Sequence, residues 1–116
     1  MTNRELDTAV AMNIMGWKVF AGIGGVPDYE SPGGEYQLRP PHYSTDLNEA
    51  FRVIEKMREK FRQYMSVGIQ GDDLDVQFHA EIDHGGLYVV DESPARAICL
   101  CALRVIDEIN KLKETK

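Results

Sequence analysis

Residues 74–83 constrain this chain more than any other stretch. Leu74, Val76, Phe78, Ala80 and Ile82 alternate with Asp75, Gln77, His79, Glu81 and Asp83. Successive side chains of a strand point to opposite faces, so the pattern predicts a strand with one apolar and one polar side. The polar side can face water in an antiparallel sheet, whereas the apolar side demands a second layer of structure. His84-Gly85-Gly86 then predicts a turn, and Leu87-Tyr88-Val89-Val90 the returning strand of a hairpin.

The covering layer is supplied by helices. Ser93 is a good N-cap, and Pro94 falls at the first helical position, where a missing amide hydrogen is harmless. Ala95, Ile98, Cys101, Ala102, Val105, Ile109 and Leu112 follow at helical spacing, while Lys111, Lys113 and Lys116 suit the negative end of the helix dipole. Small residues between 95 and 102 allow a close approach to whatever this helix packs on. A second helix starts at Ser44-Thr45-Asp46, with Asp46 and Glu49 at capping-box spacing. Its expected apolar stripe is Leu47, Ala50, Phe51, Ile54, Met57, Phe61 and Met65. Near the start of the chain, Thr2 and Glu5 form another box ahead of Leu6, Val10 and Ile14, and Gly16 is a natural stop. Trp17 to Phe20 reads as a strand.

Together these elements predict an α+β fold in one domain, residues 1–116. An N-terminal helix and two long helices pack on a small antiparallel sheet that contains the hairpin. Residues 21–42 interrupt the order with Gly22, Gly24, Gly25, Pro27, Pro32, Gly33, Gly34, Pro40 and Pro41. They predict a long loop, with a short strand at Tyr36-Gln37-Leu38 at most. Loops of this length in compact domains tend to be functional or mobile.

The formal net charge of -6 argues against general DNA or RNA binding, because an acidic surface repels a phosphate backbone. A small anion held by a few arginines is not excluded by that argument. Cys99 and Cys101 diverge by about 200° on a helix, so they neither pair nor share a metal. They read as buried thiols of a reducing compartment. With no apolar signal core and no run long enough to span a membrane, the expected location is the cytoplasm.

Four groups of residues invite a chemical reading. His79, Glu81, Asp83 and His84 are metal-like, with the first three on one strand face, and a metal-dependent phosphodiesterase is the corresponding activity. A solvated sheet face produces the same alternation. Gly22 to Gly25 can form an anion-binding nest of amides or the tip of a mobile hairpin or lid, but lacks the P-loop and dinucleotide signatures. His42, Ser44 and Asp46 suggest a triad only by proximity in sequence, and triads are defined by geometry. Arg96 and Arg104 lie two turns apart on the last helix, at bearings that differ by about 80°. With Phe78 or Tyr88 they can frame a phosphate and a base; the plainer alternative is surface pairing with Glu92, Asp107 or Glu108.

Three segments carry a family resemblance. Met15-Gly16-Trp17, Pro41-His42-Tyr43-Ser44-Thr45-Asp46, and Ser93-Pro94-Ala95-Arg96-Ala97-Ile98-Cys99-Leu100-Cys101-Ala102-Leu103 occur in the order seen in the phage ABA sandwich domain family. The chain resembles that family over essentially its whole length, the segment 21–40 excepted. The resemblance extends to phage anti-Thoeris sponge proteins. These bind the cyclic ADP-ribose isomer made by bacterial TIR-domain defence enzymes and hold it without degrading it. Some relatives are oligomers built from dimers that also take up the cyclic oligonucleotides of CBASS-type defence.

The resemblance therefore implies a non-enzymatic phage sink for a nucleotide signal in the host cytoplasm, a homodimer or larger homo-oligomer, and no cofactor or metal. Residue chemistry then assigns Arg96 and Arg104 to phosphate, Phe78 or Tyr88 to the base and Asp107 to ribose, with Met15 and the loop around Gly24 closing over the ligand. Phe78 lies on the apolar side of its strand, so it reaches a ligand only at a helix–sheet or subunit boundary. Two other readings remain: the phosphodiesterase, and an interaction module that binds another protein through the small-residue face of the last helix.

Overall fold

The structure is a computed structural model that describes residues 1–22, 24, 27–71, 76–82 and 87–114. Its first helix, α1 (Asn3–Asn13), opens with the expected capping box: Thr2 Oγ1 accepts from the Glu5 amide, and Glu5 Oε1 accepts from the Thr2 amide, both at 3.1 Å. The helix ends where Gly16 takes a φ of 82°, and the Trp17 amide reaches back to the Ala11 carbonyl. Leu6, Val10, Ala11 and Ile14 are fully buried.

Strands β1 (Lys18–Ala21), β2 (Pro27–Glu30) and β3 (Tyr36–Gln37) form an antiparallel sheet in that order. The window 21–42 is thus not one long loop. Its glycines and prolines flank two short strands. β3 is the strand expected at Tyr36-Gln37-Leu38, one residue shorter. β2, four residues that open on Pro27, is too brief and too polar for an alternation signal to register. In this sheet Tyr29, the partner of Val19, turns its side chain into the core.

Helix α2 (Leu47–Phe61) is capped by Asp46, whose side chain accepts from the Asn48 amide. It ends earlier than its apolar stripe suggests. Arg62 adopts a left-handed conformation (φ 58°), and Met65 opens strand β4 (Met65–Gly71) instead of closing the helix. Ala50, Val53 and Met57 form the buried face, whereas Leu47 and Phe51 are exposed. The buried face is centred on Val53 and not on Phe51, which is larger but stands 47% exposed.

β4 pairs with β5 (Val76–Ile82), which pairs with β6 (Tyr88–Asp91), giving a second antiparallel sheet. The fold is α+β as expected, with its antiparallel strands divided between two small sheets where one was expected. On β5, Ala80 and Ile82 are buried and Glu81 between them is exposed, as the alternation predicts. Leu74, Asp75, Asp83 and the predicted turn at His84-Gly85-Gly86 lie outside the described residues.

The last helix, α3 (Pro94–Glu114), is the hub. Ser93 caps it: its carbonyl accepts the Ala97 amide and its Oγ the Arg96 amide. Its buried row of Ala95, Ala97, Ile98, Cys99, Cys101 and Ala102 packs on β5 and β6 and against α1 and α2. The small residues at 95–102 thus form a seam that is buried within the fold. Burying apolar area at about 25 cal/mol per Å² makes this seam a main source of stability. Among the described residues, no helix is long and apolar enough to cross a membrane.

Candidate functional site

The segment Pro41-His42-Tyr43-Ser44-Thr45-Asp46 does its work by docking on α1. Asp7, almost wholly buried, accepts the Ser44 amide on Oδ1 at 2.7 Å, and His42 Nδ1 lies 3.7 Å from Oδ2. Ser44 Oγ donates to the Asn3 carbonyl, and Tyr43 OH accepts a buried hydrogen bond from Trp17 Nε1. Burial pushes the Tyr43 phenol up to about 12, the bond from Trp17 opposing it. The Ser44 hydroxyl is committed to backbone, so no triad forms.

This docking leaves a cleft of about 140 Å³ beside the start of α1, lined by Asn3, Arg4, Asp7, Tyr29, Arg39, Pro40, His42 and Thr45. Tyr29, Pro40 and Asp7 are its buried members; Arg4, Arg39, Asn3, His42 and Thr45 are exposed around them. Among the described residues neither Arg4 nor Arg39 has an ion-pair partner. A shallower trough bounded by Thr2, Glu5, Thr8 and Pro27 continues from the cleft and shares Arg4 and Tyr29 with it. Two guanidiniums without an ion-pair partner among the described residues line the cleft together with an aromatic ring, an amide and a hydroxyl, a set that suits an anion carrying a planar group and hydroxyls.

The residues assigned from sequence are placed otherwise. Arg96 donates to Asn3 Oδ1 and the Met1 carbonyl, both at 2.6 Å, and pairs with Asp91 at 3.3 Å. Its pairing partner is thus Asp91 and not Glu92, Asp107 or Glu108. Phe78 is half-buried opposite Asp91, while Tyr88 stands opposite Glu81. The odd spacing between Phe78 and Glu81 puts the two aromatic rings on opposite faces of the sheet, so one ligand cannot touch both within a chain. Arg104 is exposed on α3, and Asp107 pairs with Lys111 at 3.3 Å beside a shallow hollow lined by Asn13, Leu103, Ile106 and Asn110. Met15 is half-buried against the core, and Gly24 is exposed with a φ of 73° in the β1–β2 connection.

His79 and Glu81 share the helix-free face of their sheet, but no group of three metal-ligating side chains forms among the described residues; Asp83 and His84 lie outside them. His79 instead stacks on Tyr88, ring centroids 5.2 Å apart, directly over Gly68, where a Cβ would stand 2.5 Å from the imidazole. Cys99 and Cys101 are buried and unpaired. Burial lifts Cys99 to about 12, helped by the Asp7 charge, and Cys101 to about 11. Neither is a nucleophile at neutral pH.

Residues 8–103 match the Phage ABA sandwich domain. The chain belongs to that family. Both the docking segment and the cap and buried seam of α3 fall within the matched region, which makes this a phage-type protein by domain. The ABA sandwich is also similar in fold to a phage protein from Bacillus cereus ATCC 14579, solved as a 2.0 Å crystal structure. The TM-score is 0.65 and the identity 23%, over 89% of this chain and 90% of that one. At that identity the likeness speaks for the fold. No curated protein matches the sequence.

Sequence reasoning missed the cleft because its parts come from four separate places: Arg4 on α1, Tyr29 on β2, Arg39-Pro40 in the segment before α2, and His42 and Thr45 ahead of that helix. The available signal was Arg39-Pro40, which holds the one lysine or arginine of the Gly/Pro-rich window 21–42.

Proposed function

We propose that this ABA sandwich protein is a phage anti-defence factor that binds cyclic nucleotide immune signals and holds them without cleaving them. The observation that carries the reading is the convergence of Arg4 and Arg39, neither ion-paired among the described residues, on a cleft with the Tyr29 ring in its lining. Guanidinium forks suit phosphate oxygens, the ring suits a base, and Asn3 and Thr45 suit ribose hydroxyls. Cyclic ADP-ribose isomers of Thoeris defence present all three groups, and the cyclic oligonucleotides of CBASS defence present the same chemistry.

Retention without turnover is supported by what surrounds the cleft. Ser44 Oγ is engaged with the Asn3 carbonyl, and both thiols are buried and protonated. Phe78, Arg104 and Asp107 are the rival location for the same ligand, reached across a subunit boundary.

The test is recovery of the ligand. Purified protein is mixed with a cyclic ADP-ribose isomer, freed of unbound ligand and heated until it denatures. Intact ligand in the supernatant supports the reading. Hydrolysed product would show an enzyme instead, and absence of uptake, with cyclic di- and trinucleotides also ignored, would remove nucleotide binding altogether.

A further inference from the structure

Strand β4 (Met65–Gly71) lies at the edge of its sheet, in the order β4-β5-β6. Seven residues pair with β5 in unbroken register from Met65↔Ile82 to Gly71↔Val76, without a bulge. An edge strand offers a row of backbone donors and acceptors to any other strand, and proteins that stay apart guard such edges with charges, proline, bulges or brevity. The opposite edge, β6, has two of these guards: it is four residues long and ends in Asp91. β4 has none, since Met-Ser-Val-Gly-Ile-Gln-Gly contains no charge and no proline.

Its apolar side is also uncovered. Val67 and Ile69 stand opposite Ala80 and Phe78, on the side of the sheet that α3 covers at β5 and β6. Yet Ile69 is 70% exposed and Val67 37% exposed. The helical layer stops short of this end of the strand, leaving a small apolar surface next to the open backbone edge.

We infer that β4 pairs antiparallel with β4 of a second copy of this chain about a two-fold axis at Gly68, joining two three-stranded sheets into one of six. With Gly68 opposite its own image, Val67 meets Ile69 of the other copy, and Ile69 meets Val67. Directly opposed apolar side chains of this kind stabilise antiparallel pairs. The strand is neutral, so the register opposes no like charges although the whole chain carries -6. Gly68 also keeps the axis clear, because it has no side chain and its helix-free face is occupied by the His79 ring of its own chain. A C2 contact needs a surface complementary to itself, which this strand is. A foreign peptide would fit the backbone but has no reason to match Val67 to Ile69.

The inference does not depend on the nucleotide reading. Sedimentation equilibrium of the full chain across a concentration series should give twice the 13.1 kDa chain mass. Ile69→Lys and Val67→Lys each place two like charges across the axis and should yield monomers with unchanged far-UV circular dichroism. Val90→Lys, on the far edge, should stay dimeric. In the wild type, amide exchange within 65–71 should slow as concentration rises. A wild-type monomer at every concentration, a dimer that survives both β4 lysines, or a dimer lost in Val90→Lys alone would overturn the assignment. Should a lysine variant fail to fold, the wild-type mass and exchange data decide.

Discussion

The carboxylate of Asp7 accepts the backbone amide of Ser44 at 2.7 Å, tying the middle of α1 to the entry of α2 across 37 residues of chain. This bond positions Arg4 beside Arg39 and His42, because it fixes the segment that carries the second arginine against the helix that carries the first. The site and the fold are therefore coupled at one buried side chain.

Replacing Asp7 tests that coupling. Asp7→Ala leaves the Ser44 amide buried without an acceptor and should cost about 2–3 kcal/mol in urea unfolding. Asp7→Asn keeps an acceptor of the same shape and should cost clearly less. Equal losses for the two variants would show that the charge, and not the hydrogen bond, holds the segment.

Alkaline stability should fall early. Cys99, Cys101 and Tyr43 have folded-state values raised to about 12, 11 and 12, from ordinary values of 9.0, 9.0 and 10.0. The unfolded chain loses these protons first, so the folded state binds more protons and stability drops as pH rises. Their contribution is complete below about pH 9, where unfolded thiols begin to ionise, and declines upward through the folded values. Unfolding free energy measured from pH 8 to 10.5 should slope downward, less steeply in Cys99→Ala. A thiol reagent at pH 8 should label neither cysteine until the protein is denatured.

Arg96 should behave as a brace. It joins α3 to Asn3 and the Met1 carbonyl and pairs with Asp91. Arg96→Ala should lower stability by about 1–2 kcal/mol, in the range for lost bonds to a charged group, and increase amide exchange in the first turn of α1. Lysine should rescue little, since it cannot span three acceptors in a plane. Unchanged stability would contradict this role.

His79→Phe should be tolerated or slightly stabilising. Among the described residues the buried imidazole Nδ1 has no hydrogen-bond partner, and phenylalanine keeps the stack on Tyr88 while removing that polar atom. A metal-dependent phosphodiesterase predicts the opposite, loss of bound metal and of activity in this variant. Elemental analysis of wild type and variant separates the two.

Much of the fold was legible because its signals are local. The capping box at Thr2, the Asp46 cap, Ser93-Pro94 and the alternation along β5 each depend on neighbours within a few residues. What was not legible depends on contacts between distant segments. β4 is Met-Ser-Val-Gly-Ile-Gln-Gly, whose glycines and short apolar residues lack a strand's usual density, so Met65 attached itself to the helical period before it. The end of α2 at Arg62 is a left-handed residue that is not glycine, and nothing local announces it. For the site, Arg96 looked like a ligand group because an unassigned arginine on a conspicuous helix has no visible partner in sequence; its partners lie at Met1 and Asn3.

The central claim is that the Arg4–Arg39 cleft captures a cyclic nucleotide, and calorimetric titration tests it most directly. Wild-type protein, Arg4→Ala/Arg39→Ala and Arg104→Ala are each titrated with a cyclic ADP-ribose isomer and with a cyclic trinucleotide. The account predicts saturable binding of at least one ligand to the wild type, retained in Arg104→Ala and weakened at least about 100-fold in the double variant, since two charge-assisted contacts are lost. Binding lost in Arg104→Ala and kept in the double variant would contradict it and move the site to α3.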